Sequence, residues 1–388
     1  MCGLMRSPHF PHVRVEGGPR ERGRQYGEQA RESIHLSISS YREVFMHYAQ
    51  WDWDVVRREA LRFEGPIEAY GRPCLEELQG IADGAGVPFE DVLAINVRTE
   101  VMFAATARAA QAAFRGGECS SVAVLPETSA TRHTLLAQNR DWLLHCSDTV
   151  VVLEARQEDG PNFVSVVEAG LLAKTGMNSS GIGVVTNALV SASDRGDPGV
   201  PYHVLLRALM DCENVSDALM AVQRSLRSSS ANYLVGHEDG LALDLEAGPG
   251  DFGQVFLLFP EKGVLLHTNH FLSPSFHGKD VSIWAMPDSP IRLERLRTAV
   301  LLAERPLSVP DVQAMLADHA NHPAGVCCHP DPRLETLDQG ATVASVIMDL
   351  DARMLWVAAG HPCTTPYRRL DLGDLLAKPS AVRNRTPA

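Results

Sequence analysis

The first hundred residues carry apolar side chains at helical spacing. Between positions 20 and 48 these side chains recur every three or four residues, which predicts one long helix with a single buried face. Shorter helical patterns follow at 55–61 and 75–82, and the second ends at a glycine-rich breaker. Residues 104–117 are small and basic and end in two glycines, which indicates an exposed, mobile segment, with the end of a helix as the alternative. The N-terminal part is therefore predicted to be α-helical.

From Cys119 onward the apolar period shortens towards two, as expected of β-strands. Runs at 121–125 and 133–137 predict a hairpin. Because strands dominate while helices come in pairs between them, we expect helices on both outer faces of two stacked sheets. The helical patterns lie at 202–210, 215–226, 290–303 and 309–318, the last opened by a capping box from Ser308 to Asp311. Further strands are predicted at 149–153, 163–167, 181–186, 232–235, 241–245, 255–258, 263–266, 342–348 and 354–358.

Composition narrows the class of protein. The 388 residues are 45% hydrophobic and 21% charged, which is typical of a globular chain. The net charge of −13 is the wrong sign for neutralising phosphates, so nucleic acid is not an expected partner. No apolar stretch is long enough to span a membrane, and the N-terminus lacks the apolar core of a signal peptide, so we expect a cytoplasmic protein without a membrane partner. The eight scattered cysteines are expected to be free thiols.

Cys119 is the most conspicuous of these cysteines, because it opens the first predicted strand directly after the mobile segment. Cleavage of the Glu118–Cys119 peptide bond would leave a thiol and a new α-amino group on one residue. An amine with a pKa of about 8 can accept the proton of a thiol with a pKa of about 8.5. The thiol can make the cut by attacking the carbonyl before it and passing through a thioester. The alternative is a cysteine that only packs in its strand.

Two further segments could supply partners for this thiol. The returning strand carries Asn139, Arg140 and Asp141, and strand alternation would send Asn139 and Asp141 to the same face. An exposed ion pair in a turn is the alternative interpretation of that triplet. Farther on, Asn269 follows a strand within His267-Thr268-Asn269-His270 and could supply an oxyanion-hole amide.

Five motifs in this order resemble the penicillin acyltransferase (isopenicillin N acyltransferase) family of autoproteolytic cysteine N-terminal nucleophile (Ntn) hydrolases, whose relatives include acid-ceramidase-like and β-alanyl-amine hydrolases. The resemblance extends into the helical part through 77–84 and 96–100, so it spans most of the chain. The motifs are Gly117-Glu118-Cys119-Ser120-Ser121, Gln138-Asn139-Arg140-Asp141-Trp142, Gly176-Met177-Asn178-Ser179-Ser180-Gly181, His267-Thr268-Asn269-His270 and Gly340-Ala341-Thr342.

The resemblance implies an α+β fold, a four-layer αββα sandwich preceded by a helical segment. It implies that Cys119 is the nucleophile, that Asp141 orients the nucleophilic terminus and that Asn269 stabilises the oxyanion. Autoproteolysis would give a helical chain 1–118 and a catalytic chain 119–388, packed as one unit. Residues expected to bind substrate or support the site are Ser121, Asn139, Arg140, Asn178, Thr268, His270 and Arg292.

One departure from the family concerns the substrate. The fungal members carry a Ser-Arg pair before Gly-Ala-Thr, whereas Asp338 and Gln339 precede Gly340 here. An anionic position does not match an arginine that holds a carboxylate, which puts a penicillin-like substrate in doubt. Arg292 could substitute for that arginine, or it could be a charge on a helix surface.

The predicted function is that of an autoproteolytic cysteine Ntn enzyme. It would cleave or form an amide bond of a small N-acyl metabolite through a thioester acyl-enzyme. The substrates would be an N-acyl amide or acyl thioester with an amine acceptor or water. No cofactor is expected, acyl-CoA entering only as an acyl donor, and the two cleavage products would form a heterodimer.

Three alternatives stay open at this point. They are a pure amidohydrolase of N-acyl or β-alanyl amines, a glutamine amidotransferase that uses Cys2, and a non-catalytic relative. No metal is expected, because the pairs His267/His270 and His319/His322 and the run Cys327-Cys328-His329 form neither a Cys-x-x-Cys pair nor a His-Glu-x-x-His helix.

Overall fold

A computed structural model describes residues 9–109 and 119–377. The expectations for Cys2, for Glu118 and for the mobile segment from 110 onward concern residues outside these ranges. Within the described ranges, none of the helices combines the length and the apolar character needed to cross a lipid bilayer.

The described strands form two sheets that are stacked face to face. The first sheet has eight strands in the order β1-β4-β5-β6-β7-β8-β9-β10, and the second has six in the order β11-β2-β3-β12-β13-β14. Alternating Val, Leu and Ala side chains from both sheets fill the space between them. The strands are β1 His12–Gly17, β2 Cys119–Val124, β3 Leu135–Leu143, β4 Val150–Gln157, β5 Phe163–Glu168, β6 Thr175–Asn178, β7 Ile182–Ala188, β8 Ala231–His237, β9 Leu241–Ala247, β10 Val255–Leu258, β11 Val264–His267, β12 Gly340–Asp349, β13 Met354–Ala358 and β14 Arg368–Asp371.

Helices cover the outer faces of both sheets, so the predicted four-layer αββα arrangement is confirmed. Helices α1–α8 share one apolar core with the outer face of the first sheet, while α10 and α11 cover the second sheet. Segments from before and after position 118 therefore contribute to the same core. The helices are α1 Pro19–Gln29, α2 Arg31–Ala49, α3 Trp53–Ala60, α4 Glu64–Ala85, α5 Phe89–Asn96, α6 Arg98–Ala109, α7 Tyr202–Leu209, α8 Val215–Gln223, α9 Ser282–Ala285, α10 Ser289–Leu302 and α11 Val309–Leu316.

The N-terminal part corrects three expectations. The single helix predicted over 20–48 is wrong, because the chain breaks at Ala30 into α1 and α2. Helix α1 lies so close to α4 that a Cβ on Gly23 would come within 2.1 Å of the Glu77 carbonyl oxygen, so its direction follows α4. The segment before α1 is not helical but forms β1, which pairs in parallel with β4. The predicted mobile segment is also wrong over its first residues, where the alternative of a helix end is confirmed, since α6 continues to Ala109.

The elements after Cys119 follow the sequence pattern more closely. The hairpin of β2 and β3, the four helical patterns and the capping box at Ser308 are all present. Two short strands, β6 and β14, carry no alternating pattern long enough to predict them. One edge of the second sheet holds the candidate site. At this edge β2 and β12 begin, and β3 and β11 end.

Candidate active site

Cys119 is the first residue of β2 and is buried. Strand β3 runs antiparallel to it, with Cys119 directly opposite Arg140, and β11 lies on its other side. Because β11 ends at His267, opposite Ser121, the chain that follows β11 passes the start of β2. This topology brings Asn269 to Cys119 across 150 residues of sequence.

The side chain of Asn269 holds the backbone nitrogen of Cys119. The Cys119 N–H donates to Asn269 Oδ1 at 2.6 Å, and Asn269 Nδ2 donates to the Ala188 carbonyl at 2.9 Å. The backbone N–H of Asn269 donates to Ser289 Oγ at 2.7 Å, which fixes the turn after β11 to the start of α10. Hydrogen bonds at both the oxygen and the nitrogen of the Asn269 side-chain amide therefore fix its orientation beside the nitrogen of the candidate nucleophile.

Arg292 forms hydrogen bonds with both Cys119 and Asn269. It lies on α10 and is fully buried, so it is not the helix-surface charge that the sequence left open. Its Nη1 donates to the Cys119 carbonyl at 2.7 Å, its Nη2 donates to Asn269 Oδ1 at 3.0 Å, and its Nε pairs with Asp288 at 2.5 Å. The guanidinium therefore holds the backbone of the candidate nucleophile and polarises the amide next to it.

Asp141 lies on β3 and lines the same pocket as Cys119. Its Oδ1 accepts a hydrogen bond from Thr342 Oγ1 at 2.5 Å, while its Oδ2 is buried and has no hydrogen-bond partner among residues 9–109 and 119–377. Burial raises the pKa of Asp141 to about 7, against the opposing charge of Arg292 and the bond from Thr342. The carboxyl can therefore take up or release a proton near neutral pH.

The Cys119 thiol is held in its neutral form. Burial and the charge of Asp141 raise its pKa, while the charge of Lys174 and the backbone N–H of Asp141 lower it. A nucleophilic thiolate at this position therefore requires a base to take the proton.

Three basic side chains and one carboxylate are buried together around the pocket. Arg140 pairs with Glu168, and Arg98 Nη2 lies 2.9 Å from Glu168 Oε2. Burial opposes ionisation of Glu168, but Arg140 and Arg98 lower its pKa to about 2. Lys174 lies near this pair, and among residues 9–109 and 119–377 it forms no ion pair of its own; its Nζ is 5.6 Å from the centre of the Trp142 ring. Burial, Arg140 and Arg98 lower the pKa of Lys174 well below its ordinary value.

A largely apolar pocket opens onto Cys119 and Asp141. Arg98, Lys174 and Ser230 add polar groups to its wall, so it combines a hydrophobic surface with a cationic edge near the thiol. Its apolar lining consists of Tyr41, Val44, Phe45, Met102, Phe103, Trp142, Ala188, Leu189, Val190 and Tyr202.

Three residues expected near the site bond elsewhere. Ser121 Oγ accepts a hydrogen bond from Gln138 Nε2 at 3.4 Å, two residue pairs deeper in the sheet than Cys119. Asn139 Nδ2 donates to the carbonyls of Leu316 and Val326, which anchors the segment after α11. Asn178 caps the turn between β6 and β7 and donates to the carbonyls of Met210 and Cys212. None of the three lines the pocket at Cys119.

Thr268 and His270 hold the turn that carries Asn269. Thr268 Oγ1 donates to the Ser289 carbonyl at 3.0 Å, and His270 Nδ1 lies 2.8 Å from Ser289 Oγ. Burial lowers the pKa of His270 to about 4, so it is neutral at physiological pH. Both residues support Asn269 rather than the pocket. Arg140 likewise lies beneath the site, paired with Glu168.

Sequence reasoning missed Lys174 and Glu168. A signal was present, since both interrupt an otherwise apolar segment, Val166-Val167-Glu168-Ala169-Gly170-Leu171-Leu172-Ala173-Lys174. Asp338 stands where the chain departs from the fungal members of the family, and its carboxylate lies 2.9 Å from Nε2 of His47 on α2. Asp338 also lines a second cavity, which borders Asp141.

Known proteins resemble this chain in sequence. The family described as acyl-coenzyme A:6-aminopenicillanic acid acyl-transferase matches residues 128–363. The chain is 27% identical over 356 residues to the acyl-coenzyme A:6-aminopenicillanic-acid-acyltransferase 40 kDa form of Emericella nidulans, covering 90% of this chain and 93% of that protein.

Solved structures similar to this chain include the Caenorhabditis elegans ortholog of N-acylethanolamine-hydrolyzing acid amidase, which is 13% identical with a TM-score of 0.44 and covers 60% of this chain and 93% of its own. A variant of conjugated bile acid hydrolase from Clostridium perfringens is 12% identical with a TM-score of 0.47 and covers 67% of this chain and 95% of its own.

Proposed function

This chain belongs to the acyl-coenzyme A:6-aminopenicillanic acid acyl-transferase family, and we propose that Cys119 is the nucleophile through which it moves acyl groups. The family membership predicted from the motifs is confirmed. The chain is an enzyme of the Ntn class, an acyltransferase or amidohydrolase that acts on C–N amide bonds. Its substrates are small acyl compounds, with an amine or water as acceptor.

The proposal rests on how the backbone of Cys119 is held. Asn269 accepts from its N–H and Arg292 donates to its carbonyl, and both side chains come from elements outside the β2–β3 hairpin. A cysteine that only packs would leave these backbone groups to the neighbouring strands. The nitrogen that Asn269 holds is the one that cleavage would convert into an α-amino group.

We assign the maturation cut to the Glu118–Cys119 peptide bond. The thiol gives its proton to a base, and Sγ attacks the Glu118 carbonyl carbon. The C–N bond then breaks, the Cys119 nitrogen takes up a proton, and Glu118 is held as a thioester. Water hydrolyses that ester to a Glu118 carboxylate and restores the thiol. The chains 1–118 and 119–388 stay together as a heterodimer, because segments on both sides of the cut share one core.

The matured residue would then carry out acyl transfer. The α-amine takes the thiol proton, Sγ attacks the substrate carbonyl, and Asn269 donates to the oxyanion that develops. The leaving amine or thiol departs with the proton, which leaves a thioester on Cys119. Water or an acceptor amine attacks this ester and regenerates the thiol. Asp141 would orient the α-ammonium group, since its carboxyl borders Cys119 and titrates near neutrality.

The pocket favours an apolar acyl group. Phe45, Met102 and Leu189 offer hydrophobic surface, while Lys174 places a buried amine at the edge near the thiol. When this amine takes up a proton, its charge would stabilise the thiolate and the tetrahedral anion. The name of the Emericella relative describes acyl-CoA as its donor. We propose that an acyl-CoA or an N-acyl amide with an apolar acyl group donates to Cys119 here.

Trapping of the acyl-enzyme tests this function. The purified protein is mixed with acyl-CoA esters of increasing chain length, with and without primary amines, and in parallel with N-acyl amines in water. Intact-mass measurement should show one acyl group on chain 119–388 and none on Cys119→Ala. Amide product from acyl-CoA identifies an acyltransferase, and free acid alone identifies an amidohydrolase. Turnover by Cys119→Ala at the wild-type rate would overturn the proposal.

A further inference from the structure

A second cluster of reactive side chains lies outside the pocket at Cys119. His319, Cys327, His329 and Cys363 each present one ligand atom, and these atoms all lie within 4.8 Å of one another. The two Nε2 atoms of His319 and His329 are 3.1 Å apart. His329 Nε2 lies 3.5 Å from the Sγ atoms of both Cys327 and Cys363. The proposed catalytic steps use none of these four residues.

The three distances from His329 Nε2 are close to the edges of a tetrahedron around zinc. With Zn–N bonds of about 2.05 Å and Zn–S bonds of about 2.3 Å, tetrahedral ligands stand about 3.3 Å apart for two nitrogens and about 3.5 Å apart for nitrogen and sulfur. Two thiols and two imidazoles form a donor set that suits zinc, whereas magnesium and calcium prefer oxygen ligands. We propose that His319, Cys327, His329 and Cys363 bind a structural Zn²⁺ ion.

The local fold brings the ligands together from two parts of the chain. The Cys327 N–H donates to the Asp318 carbonyl at 3.0 Å, which closes the loop after α11 and sets Cys327 next to His319. Cys363 arrives from the loop after β13. The ring of His361 stacks on that of His329 with centroids 4.3 Å apart and so fixes its plane. All four coordination positions come from protein, which is typical of a structural site rather than a catalytic one.

The ion would fix a loop that reaches the active site. Cys328, next to the ligand Cys327, donates its backbone N–H to Thr342 Oγ1 at 3.0 Å, and Thr342 donates to Asp141. On the other face of the loop, Asn139 holds the Val326 carbonyl at 2.8 Å. Zinc would thus link the loop after α11 to the loop after β13. It would also keep in place the hydrogen bonds that run from Cys328 through Thr342 to Asp141.

The four ligands do not follow the spacing of a Cys-x-x-Cys pair or a His-Glu-x-x-His helix. Cys363 lies 34 residues beyond His329 and reaches the cluster only through the fold. The structure leaves His267 outside the cluster, since that ring pairs with Glu246.

Metal analysis of the full protein, produced without a histidine tag or chelator, tests the site. We expect about one zinc per chain by inductively coupled plasma mass spectrometry, and tetrahedral thiolate bands after exchange with Co²⁺. Cys363→Ser should weaken Zn²⁺ binding by about 100-fold or more, because loss of an outer-shell partner alone costs 10- to 100-fold. The matched control Cys328→Ser should retain the metal, since its sulfur is not among the ligand atoms.

A second measurement needs no variant. Chelation of the wild-type protein followed by addition of Zn²⁺ alone should protect two thiols, Cys327 and Cys363, from alkylation, as read by peptide mass spectrometry. The proposal is overturned by protein that neither carries zinc nor takes it up, by a disulfide between the two cysteines in its place, or by Cys363→Ser binding Zn²⁺ as tightly as the wild type.

Discussion

The backbone N–H of Cys119 donates to the side-chain Oδ1 of Asn269 at 2.6 Å, although 150 residues separate them in sequence. In the uncut chain this bond holds the nitrogen of the peptide proposed to break. After the cut, the same oxygen could accept from the new α-amino group. Asn269 would therefore act in both maturation and catalysis. A variant of Asn269 should affect both processes, so the two rates have to be measured separately.

Processing should depend on Cys119 itself. We expect Cys119→Ala to remain a single unprocessed and inactive chain, while the wild type splits between Glu118 and Cys119 without added protease, because the thiol is the proposed attacking group. Intact-mass spectrometry of freshly purified protein measures this. Cys212→Ala, which removes a buried thiol outside the pocket, should process normally. A single intact wild-type chain with full activity would contradict the model.

The amide of Asn269 should matter most in the transition state. We expect Asn269→Ala to lower kcat by about 100- to 1,000-fold with little change in KM, because an oxyanion donor acts on charge that is absent from the bound substrate. Steady-state kinetics on the processed fraction measure both constants. A variant that chiefly raises KM would instead make Asn269 a substrate-binding residue.

Asp141 should impose a pH dependence near 7. Its folded-state pKa is raised from about 3.9 to about 7, so the folded protein keeps this proton while the unfolded chain loses it. Its contribution to stability therefore falls as pH rises from about 4 to about 7, then stays constant. Asp141→Asn, which cannot ionise, should show a flatter stability profile across this window in denaturant titrations.

The same substitution should alter catalysis. Processing and acylation in the wild type should change with an inflection near pH 7 as Asp141 ionises, and Asp141→Asn should lack that inflection. Thr342→Val, which removes the hydrogen bond to the carboxylate but keeps it ionisable, should move the inflection to higher pH. Unchanged pH profiles in both variants would remove Asp141 from the mechanism.

The strands and helices that bear the site could be predicted from period and composition, because each buries one face in a regular layer. The role of a single side chain was harder to predict, because residues close together on one strand can have different contacts. Asn139 and Asp141 share a motif, yet Asn139 anchors the carbonyls of Leu316 and Val326 while Asp141 borders the pocket. Contacts between distant segments, such as Cys363 with His329, leave no local periodicity in the sequence.

Arg292 should act by positioning rather than by binding a substrate carboxylate. Its donors reach Cys119, Asn269 and Asp288, so Arg292→Lys keeps the charge but loses the planar fork that bridges them. We expect processing and kcat to fall together by about 100-fold while the ranking of acyl donors stays the same. Competition assays with neutral and carboxylate-bearing donors measure this. A selective loss of the anionic donors would contradict a positioning role.

Lys174 should govern how readily Cys119 forms a thiolate. Its amine is buried between the Trp142 and Tyr202 rings in the pocket that contains the thiol. Burial with Arg98 and Arg140 lowers its pKa, so the amine is able to accept a proton, and the resulting ammonium would stabilise the thiolate. Lys174→Met removes both effects and leaves a thiol whose pKa burial raises. Alkylation of Cys119 by iodoacetamide at pH 7 should slow by about tenfold, one pKa unit.

Two companion variants decide between a charge effect and a packing effect. Lys174→Arg supplies a permanent cation, so alkylation at pH 7 should be at least as fast as in the wild type, because a fixed charge stabilises the thiolate without needing the proton. Lys279→Met, which removes an exposed lysine outside the pocket, should leave the rate unchanged. If Lys174→Met and Lys174→Arg slow alkylation equally, the effect comes from altered packing, and the assignment of Lys174 to thiol activation is wrong.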